Sequence, residues 1–134
     1  MSPVVAIITG ELDHWQQLSG IVSSCGFRPV RCETLAAAGQ MLARHRFRAA
    51  LCEDVLPDGD FRELLRLVKD SGGSRTAVIV VSRMDDWGCF LDAMVAGAFD
   101  YVAFPPYAHE LERALAAAFA GTATARQAEL KAVA

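Results

Sequence analysis

The sequence predicts an α/β fold in which five parallel strands form one sheet with helices on both faces. Residues 4–9 and 76–82 are continuous apolar runs rich in β-branched residues, as expected for strands that are buried on both sides. Three shorter strand-like runs and five helical segments alternate with them, which is the pattern of a doubly wound parallel sheet. Right-handed crossovers leave few strand orders, and we expect 2-1-3-4-5, the flavodoxin-like order.

The first half of the chain predicts three strands and two helices. Gly10 bounds the first strand, and Asp13 is the expected N-cap of the first helix. Gly26 follows the end of that helix, and Thr34 is the expected N-cap of the second. The second and third strands are predicted at 27–32 and 48–53, and the core-facing helix positions are Trp15, Leu18, Ile21, Val22, Leu35, Ala38, Met41 and Leu42.

The second half continues the alternation. A loop at 54–59 leads to Asp60, the expected N-cap of a third helix that Gly72 and Gly73 end. The remaining elements are the strand at 76–82, a helix at 86–95 closed by Gly97, a strand at 99–104 broken by Pro105 and Pro106, and a helix at 108–120. We expect residues 1–121 to form a single domain and residues 122–134 to be a tail that either extends the last helix or is disordered.

The composition excludes several classes of function. The formal net charge of −3 over 134 residues argues against a nucleic-acid-binding face, which needs clustered Lys and Arg. Hydrophobic residues make up 53% of the chain, yet no apolar stretch reaches the length of a membrane span and no basic leader precedes the first strand. The four cysteines lack C-x-x-C spacing, and the three histidines show no metal-ligand pattern. We therefore expect a cytoplasmic protein with reduced thiols that binds neither nucleic acid nor membrane.

The candidate site lies where the ends of the strands meet. Ligands of an open α/β sheet bind outside the carboxyl ends of its strands, at the point where the strand order reverses. In this chain four short segments reach that edge: Thr9–Gly10–Glu11 after the first strand, Glu53–Asp54 after the third, Ser82–Arg83 after the fourth and Phe104–Pro105 after the fifth.

Several motifs in fixed order connect these segments to a known family. L-P-D-G-D-F-R-E-L-L at 56–65 and A-M-V-A-G-A-F-D-Y-V at 93–102 are joined by V-V-S at the end of the fourth strand and by Pro105 after the fifth. With these motifs, about residues 4–120 of the chain resemble the receiver domains of two-component response regulators. The last third is most similar to receivers of the nitrogen-regulatory class. The resemblance implies the flavodoxin-like fold, a place in phosphorelay signalling and a cis peptide bond before Pro105.

The resemblance also assigns a role to each residue of the candidate site. Receivers hold Mg²⁺ with two acidic residues after the first strand, and those positions are Thr9 and Gly10 here. The phospho-accepting aspartate corresponds to Glu53, which lies four residues before Pro57. The residue that contacts the phosphoryl group corresponds to Ser82, the switch aromatic to Tyr101, and the lysine before the proline to Phe104.

These substitutions remove the charges that phosphoryl transfer requires. That reaction depends on positioning and on neutralising phosphoryl charge, and Mg²⁺ is usually anchored by one or two carboxylates. Thr9, Gly10 and Phe104 supply neither a carboxylate nor a cation. Glu53 is one methylene longer than aspartate, and a misplacement of about 1 Å can cost on the order of 10²-fold in rate. We therefore expect no Mg²⁺, no other cofactor, no ordinary phosphorylation and no enzyme activity.

Two interpretations of Glu53 stay open. It is either a permanent mimic of a phosphorylated aspartate, projecting charge toward Ser82, or a strand-end carboxylate paired with a cation. Arg83 is the natural partner, since a guanidinium can form a two-pronged pair with a carboxylate. We predict that Arg83 contacts Glu53 or Asp54 and closes the site. Without a phosphoryl group to favour one state, we expect the Ser82–Tyr101 pair to be fixed.

The other acidic residues and the nearby thiol also have two interpretations each. Glu11, Asp13, Asp54 and Asp58 either assemble a substitute metal site or serve as helix caps and loop residues. Cys52 is either a nucleophile or a buried structural residue, and an apolar setting without a placed histidine favours the second.

The leading hypothesis is a stand-alone, phosphorylation-independent receiver-like module that acts through protein–protein contacts. A sensor kinase or a signalling effector is the expected kind of partner. Trp87 and Phe90, which we expect to be exposed at the start of the fourth helix, and the small residues beside Leu111 and Leu115 predict a homodimer through the fourth helix, fifth strand and fifth helix. The alternatives are a phospho-competent regulator with a rearranged acidic site and a small-molecule sensor that uses the switch-point crevice, which Phe104 makes more apolar.

Overall fold

A five-stranded parallel sheet runs through the centre of the protein, as shown by a computed structural model that describes residues 3–71, 76–84, 86–124, 127 and 130–132. In chain order the strands are β1 (Val4–Ile8), β2 (Arg28–Cys32), β3 (Ala49–Glu53), β4 (Val55–Leu56), β5 (Gly59–Asp60), β6 (Ala77–Ser82) and β7 (Asp100–Ala103). The sheet has the order β2-β1-β3-β6-β7, and all its neighbours are parallel. The predicted fold class and strand order are confirmed, because β6 and β7 are the fourth and fifth strands of this sheet.

Five helices cover the two faces of the sheet. They are α1 (Leu12–Ser24), α2 (Leu35–Arg44), α3 (Phe61–Asp70), α4 (Trp87–Val95) and α5 (Ala108–Ala120). Helices α1 and α5 pack on one face, where Leu18, Leu111 and Leu115 join the apolar side chains of the strands. Helices α2, α3 and α4 pack on the other, around Leu64 and Phe90. The expectation that Phe90 is exposed is wrong, because its ring lies in this core against Tyr101. Strands β1 and β6 are buried on both sides, as their continuous apolar runs predict, whereas the edge strand β2 is only partly buried.

Two of the three expected N-caps are confirmed by their hydrogen bonds. The side chains of Thr34 and Asp60 accept from backbone N–H groups at distances of 3.1 and 2.9 Å. The structure adds Asp86, whose carboxylate accepts from the backbone N–H of Cys89 at 2.8 Å and caps α4. The expectation for Asp13 is wrong, because α1 begins at Leu12 and Asp13 lies inside its first turn. The Thr9 hydroxyl accepts from the backbone N–H of Glu11 at 3.1 Å, so the polar group at this entrance comes from the end of β1.

The segment predicted as a plain loop after β3 contains a short hairpin. Strands β4 and β5 pair antiparallel, with Val55 opposite Asp60 and Leu56 opposite Gly59. The Asp58 carboxylate at its tip accepts from the backbone N–H groups of Leu35 at 2.8 Å and Ala36 at 3.1 Å, so the hairpin is tied to the amino terminus of α2. These two hydrogen bonds, the one from Leu35 foremost, lower the pKa of Asp58 below its usual value.

The described part of the tail does not continue α5. The helix ends at Ala120, and Gly121 has the left-handed φ of 70° that allows the chain to turn away. Gln127 and Thr124 exchange hydrogen bonds in a capping box, and the Gln127 amide donates to the carbonyl of Phe99 at 2.8 Å. The predicted helix end at residues 72 and 73 lies outside the described residues. Among the residues that are described, no helix is both long and apolar enough to cross a membrane.

Candidate functional site

The carboxyl ends of β1 and β3 place Thr9 and Glu53 against each other. The two strands are adjacent and parallel, so the residue after Ile8 lies beside the residue after Cys52. The Thr9 hydroxyl donates a hydrogen bond to Oε1 of Glu53. Thr9 is 0% exposed and Glu53 is 7% exposed, so this carboxylate is almost wholly removed from water. A buried carboxylate is costly unless hydrogen-bond donors surround it.

His14 supplies the second donor to that carboxylate. Its Nδ1 lies 2.9 Å from both Oε1 and Oε2 of Glu53, and the histidine is itself only 7% exposed. The imidazole also packs on the ring of Phe104, with 4.0 Å between ring centroids and an interplanar angle of 38°. The ring therefore fills the space between β3 and the end of β7. The peptide that follows, between Phe104 and Pro105, is cis, as the family resemblance implies.

Sequence reasoning missed His14, although one signal was available. His14, Leu18 and Val22 are spaced by four residues and share the buried face of α1. A polar side chain on an apolar helix face must find a buried partner, because an unpaired one is destabilising. The helix pattern predicts burial of the ring, but its partner is 39 residues away in the sequence, and only the sheet brings the two together.

Arg83 reaches the site through the histidine. Its Nη2 lies 3.1 Å from Nε2 of His14. The prediction of a direct contact between Arg83 and Glu53 or Asp54 is wrong: within the described residues Arg83 forms no ion pair with either carboxylate. The physical reason is the imidazole, which occupies the space that the guanidinium would need and bonds to Glu53 in its place.

The hydrogen-bond partners of His14 indicate its tautomer. A guanidinium can only donate hydrogen bonds, so Nε2 of His14 acts as the acceptor from Arg83. The ring proton then resides on Nδ1, which donates to Glu53. The arrangement is a cation, a neutral imidazole and a carboxylate in series. The negative charge of Glu53 is stabilised by hydrogen bonds from Thr9 and His14 and by the Arg83 guanidinium on the opposite side of the imidazole.

Ser82 faces a different carboxylate. Its hydroxyl donates to Oδ2 of Asp54 at 3.0 Å and accepts from the backbone N–H of Met84 at 3.0 Å. The hydroxyl of Tyr101 donates to the carbonyl of Met84, and the Tyr101 side chain is buried against Phe90. Burial raises the pKa of Tyr101, so its hydroxyl keeps the proton that it donates. The loop after β6 is thus held by Ser82 and Tyr101 together.

Gly10 allows the hairpin to close over the end of β1. A Cβ atom at position 10 would lie 2.6 Å from Cγ and 2.8 Å from Cδ of Pro57, well inside contact distance. Pro57 stands at the turn of the β4–β5 hairpin, whose Asp58 is bonded to α2. No side chain, acidic or otherwise, fits at position 10 while Pro57 is in this place.

The four acidic residues considered for a substitute metal site do not converge. Asp58 binds the amino terminus of α2, Asp54 accepts from Ser82, and Glu11 and Asp13 are exposed. In the part of the chain that the structure describes, no group of three or more His, Cys, Asp or Glu is arranged to hold a metal ion.

Cys52 is a buried neutral thiol. Its Sγ donates to the backbone carbonyl of Glu53 at 3.3 Å, and burial raises the pKa of this thiol far above its usual value. A thiol that holds its proton is a weak nucleophile, as expected from its apolar strand.

The architecture can be compared with that of known proteins. Neither a protein-family model nor a curated protein matches the sequence. Solved structures do match. The signal receiver domain of a Vibrio parahaemolyticus protein has a TM-score of 0.81 at 18% identity, over 90% of this chain and 92% of that one. The receiver domain of a Francisella response regulator has a TM-score of 0.80 at 17% identity, over 90% of this chain and 100% of that one.

The chain has the response-regulator receiver fold. A third match is the receiver domain of a sensor histidine kinase from Pseudomonas aeruginosa, with a TM-score of 0.77 at 22% identity over 86% of this chain and 95% of that one. That structure has a magnesium ion coordinated in its active-site cleft. The receiver fold therefore raises the question of whether Mg²⁺ fits the residues of this chain.

The residues at this end of the fold do not fit a magnesium ion. Thr9 and Gly10 bring no carboxylate, and Pro57 leaves no room for one at position 10. Both oxygens of Glu53 lie at hydrogen-bond distance from His14, and one of them also accepts from Thr9. Mg²⁺ requires near-octahedral oxygen ligands with one or two carboxylates as anchors. In this receiver fold the Glu53 carboxylate accepts hydrogen bonds from Thr9 and His14, so it is not available as such an anchor.

Proposed function

We propose that the protein is a receiver-type signalling module of a two-component system whose output does not depend on phosphorylation of residue 53. Its role is to bind protein partners, and we assign it no catalytic reaction. The observation that supports this most directly is the state of Glu53, which is buried and bonded to Thr9 and His14. The residue at the phospho-acceptor position therefore makes buried hydrogen bonds within the fold.

The chemistry of phosphoryl transfer gives the reason. A carboxylate that attacks a phosphoryl donor needs a free oxygen, an open approach and cations that neutralise the transferred group. Here the approach to Glu53 is filled by the imidazole of His14, and Phe104 stands where a lysine would supply charge. The guanidinium of Arg83 is bonded to the far side of the imidazole and does not contact Glu53. The arrangement favours a stable contact over transfer.

The loop after β6 supports a fixed output state. Ser82 and Tyr101 both bond to the backbone of Met84, and the tyrosine side chain is fully buried. A ligand shifts a conformational equilibrium only by its differential affinity for the two states. With phosphorylation absent, we expect the backbone of the surface that α4, β7 and α5 present to stay in one state.

The same face supplies the surface for a partner. Trp87 is 51% exposed at the start of α4, and Val95 and Tyr107 are exposed at the end of α4 and the start of α5. Large contiguous apolar patches on a folded domain often mark a protein-binding surface. We propose that this face binds a signalling protein or a second copy of the chain. The cytoplasmic location that the sequence predicts remains a prediction.

The experiment that tests the proposal is incubation with acetyl phosphate and Mg²⁺ followed by intact mass spectrometry. A phospho-competent receiver treated in parallel serves as the positive control. We expect the protein to keep its unmodified mass while the control gains a phosphoryl group. Stoichiometric phosphorylation that Glu53→Gln abolishes would overturn the proposal in favour of a phospho-competent regulator with a rearranged site.

The contacts of His14 do not favour the small-molecule alternative. Its ring packs between Glu53 and Phe104 and occupies space at the carboxyl ends of β1 and β3. Thermal-shift measurements with nucleotides and common metabolites should therefore show no stabilisation at the concentrations where such ligands bind sensors.

A further inference from the structure

The series Arg83–His14–Glu53 contains one group whose charge changes near neutral pH. We propose that His14 is a pH-dependent latch: its neutral imidazole holds the Arg83 guanidinium over the crevice, and its protonated form releases it. This deepens the proposed function, on which it rests, by giving the phosphorylation-independent site a physical input.

The observed contacts define the latched state. Nε2 of His14 lies 3.1 Å from Nη2 of Arg83, and Nδ1 lies 2.9 Å from the two carboxylate oxygens of Glu53. Only a neutral ring with its proton on Nδ1 satisfies both neighbours, because Arg83 has no lone pair to offer. Histidine is the side chain whose ordinary titration falls between about pH 5 and 8.

Protonation changes one of the two contacts and leaves the other. A proton on Nε2 would point at the guanidinium, so two donors and two positive charges would meet at contact distance. The bond from Nδ1 to Glu53 survives and becomes an ion pair. Arg83 is exposed to solvent, so its side chain can leave for water without unfolding the site. Protonation of His14 therefore breaks its contact with Arg83 and keeps its contact with Glu53.

The backbone beyond Arg83 stays in place during this change. Met84 is anchored on both sides of its peptide, by the Ser82 hydroxyl at its N–H and by the Tyr101 hydroxyl at its carbonyl. The movement is confined to the arginine side chain, which adds a free cation to the surface beside α4 at acid pH.

No other cation takes part among the described contacts of the imidazole. Each element packed around the ring contributes a known group. These are the Thr9 hydroxyl after β1, the Glu53 carboxylate of β3, the Arg83 guanidinium after β6, the Phe104 ring after β7 and, beside His14 itself, the exposed carboxylates of Glu11 and Asp13. The carboxylates favour the protonated ring and the Arg83 guanidinium opposes it. Removal of Arg83 should therefore favour protonation of the imidazole.

The test is ¹⁵N NMR of the histidine rings of the full chain across pH, with Arg83→Gln and Arg83→Lys as variants. At high pH we expect the His14 signals of the tautomer protonated on Nδ1. Arg83→Gln should increase the protonated fraction of the His14 ring at a given pH, because a like charge is removed. Arg83→Lys should leave the midpoint near that of the parent protein, since it keeps the charge. The exposed His109 is the internal control and should not move.

Two results would overturn the latch. One is a His14 ring that carries its proton on Nε2 at high pH, and the other is a midpoint that Arg83→Gln leaves unchanged. Both are independent of phosphorylation, which the mass measurement reports. Failure of the latch and failure of the proposed function are thus separate outcomes.

Discussion

Nδ1 of His14 lies 2.9 Å from both oxygens of the Glu53 carboxylate, across the interface between α1 and β3. This contact occupies the end of the sheet where a receiver fold would place its phosphoryl group. Because both residues are buried, the pair belongs to the core as much as to the site. Substitutions at the two residues separate these two roles.

Removal of the imidazole should destabilise the protein strongly. His14→Ala leaves a buried carboxylate with one donor fewer and an unfilled space beside Phe104, so we expect a loss of about 2–4 kcal/mol in the free energy of unfolding. Chemical denaturation measures this loss. His109→Ala, at an exposed position, is the matched control and should stay within about 0.5 kcal/mol of the parent.

A double-mutant cycle tests whether the loss comes from the buried charge. In a Glu53→Gln background the uncharged amide needs less compensation, so His14→Ala should cost less than it does alone. Equal costs in the two backgrounds would show that His14 contributes only packing.

The close approach of Gly10 and Pro57 predicts that alanine at position 10 lowers the stability of the fold, whereas alanine at the open position 20 raises it. Gly10→Ala places a methyl group 2.6 Å from Pro57 Cγ, and we expect overpacking to destabilise the fold by about 1–3 kcal/mol. Gly20→Ala, on the exposed face of α1 with nothing within 4 Å, should stabilise it by up to about 1 kcal/mol. Thermal or chemical unfolding of both variants measures the difference.

Relief of the clash provides the control for Gly10. Adding Pro57→Ala removes the atoms that the new methyl group meets, so the double variant should recover part of the loss caused by Gly10→Ala. If Gly10→Ala is neutral in the parent protein, the hairpin does not close over β1 as described.

Restoring aspartate at the phospho-acceptor position should not restore phosphorylation. Glu53→Asp returns the side-chain length, yet position 9 is threonine, position 10 is glycine and position 104 is phenylalanine, so the charges that neutralise the phosphoryl group stay absent. Intact mass after treatment with acetyl phosphate and Mg²⁺ should show unmodified protein. Phosphorylation of this variant alone would mean that the extra methylene of Glu53 is what prevents the reaction.

The Asp58 contact to α2 predicts a dependence on acid pH. Hydrogen bonds from the backbone of Leu35 and then Ala36 lower the pKa of Asp58 in the folded state. A carboxyl group with a depressed folded pKa stabilises the fold above its unfolded value, and this stabilisation disappears as pH falls through the folded value. The stability difference between the parent and Asp58→Asn should therefore shrink below about pH 4. Denaturation at a series of pH values measures it, and a constant difference would contradict the role of the charge.

The architecture follows from the sequence because many residues specify it. Continuous apolar strands, caps such as Thr34 and Asp60, and a glycine at the end of α5 each act locally and agree with one another. The exception is Asp13, which the sequence pattern predicts as an N-cap but which lies inside the first turn of α1. Only the structure shows that α1 begins two residues earlier, at Leu12, with the Thr9 hydroxyl at the entrance.

The site was harder to predict, because its contacts join residues far apart in the chain. The sequence places Glu53 and Arg83 at the same edge of the sheet and favours a direct pair between them. A third residue between them, His14, comes from a helix face where apolar periodicity hides it among core positions. A polar residue in such a stripe indicates a buried partner but does not identify it.

The central claim is that this end of the sheet cannot hold a phosphoryl-like group beside Mg²⁺. Fluorine NMR with beryllofluoride and Mg²⁺ tests it directly, because a bound beryllofluoride gives signals distinct from the free species. We predict spectra with free species only, at concentrations that saturate a phospho-competent receiver. Bound signals that require Mg²⁺ and disappear in Glu53→Gln would contradict the account.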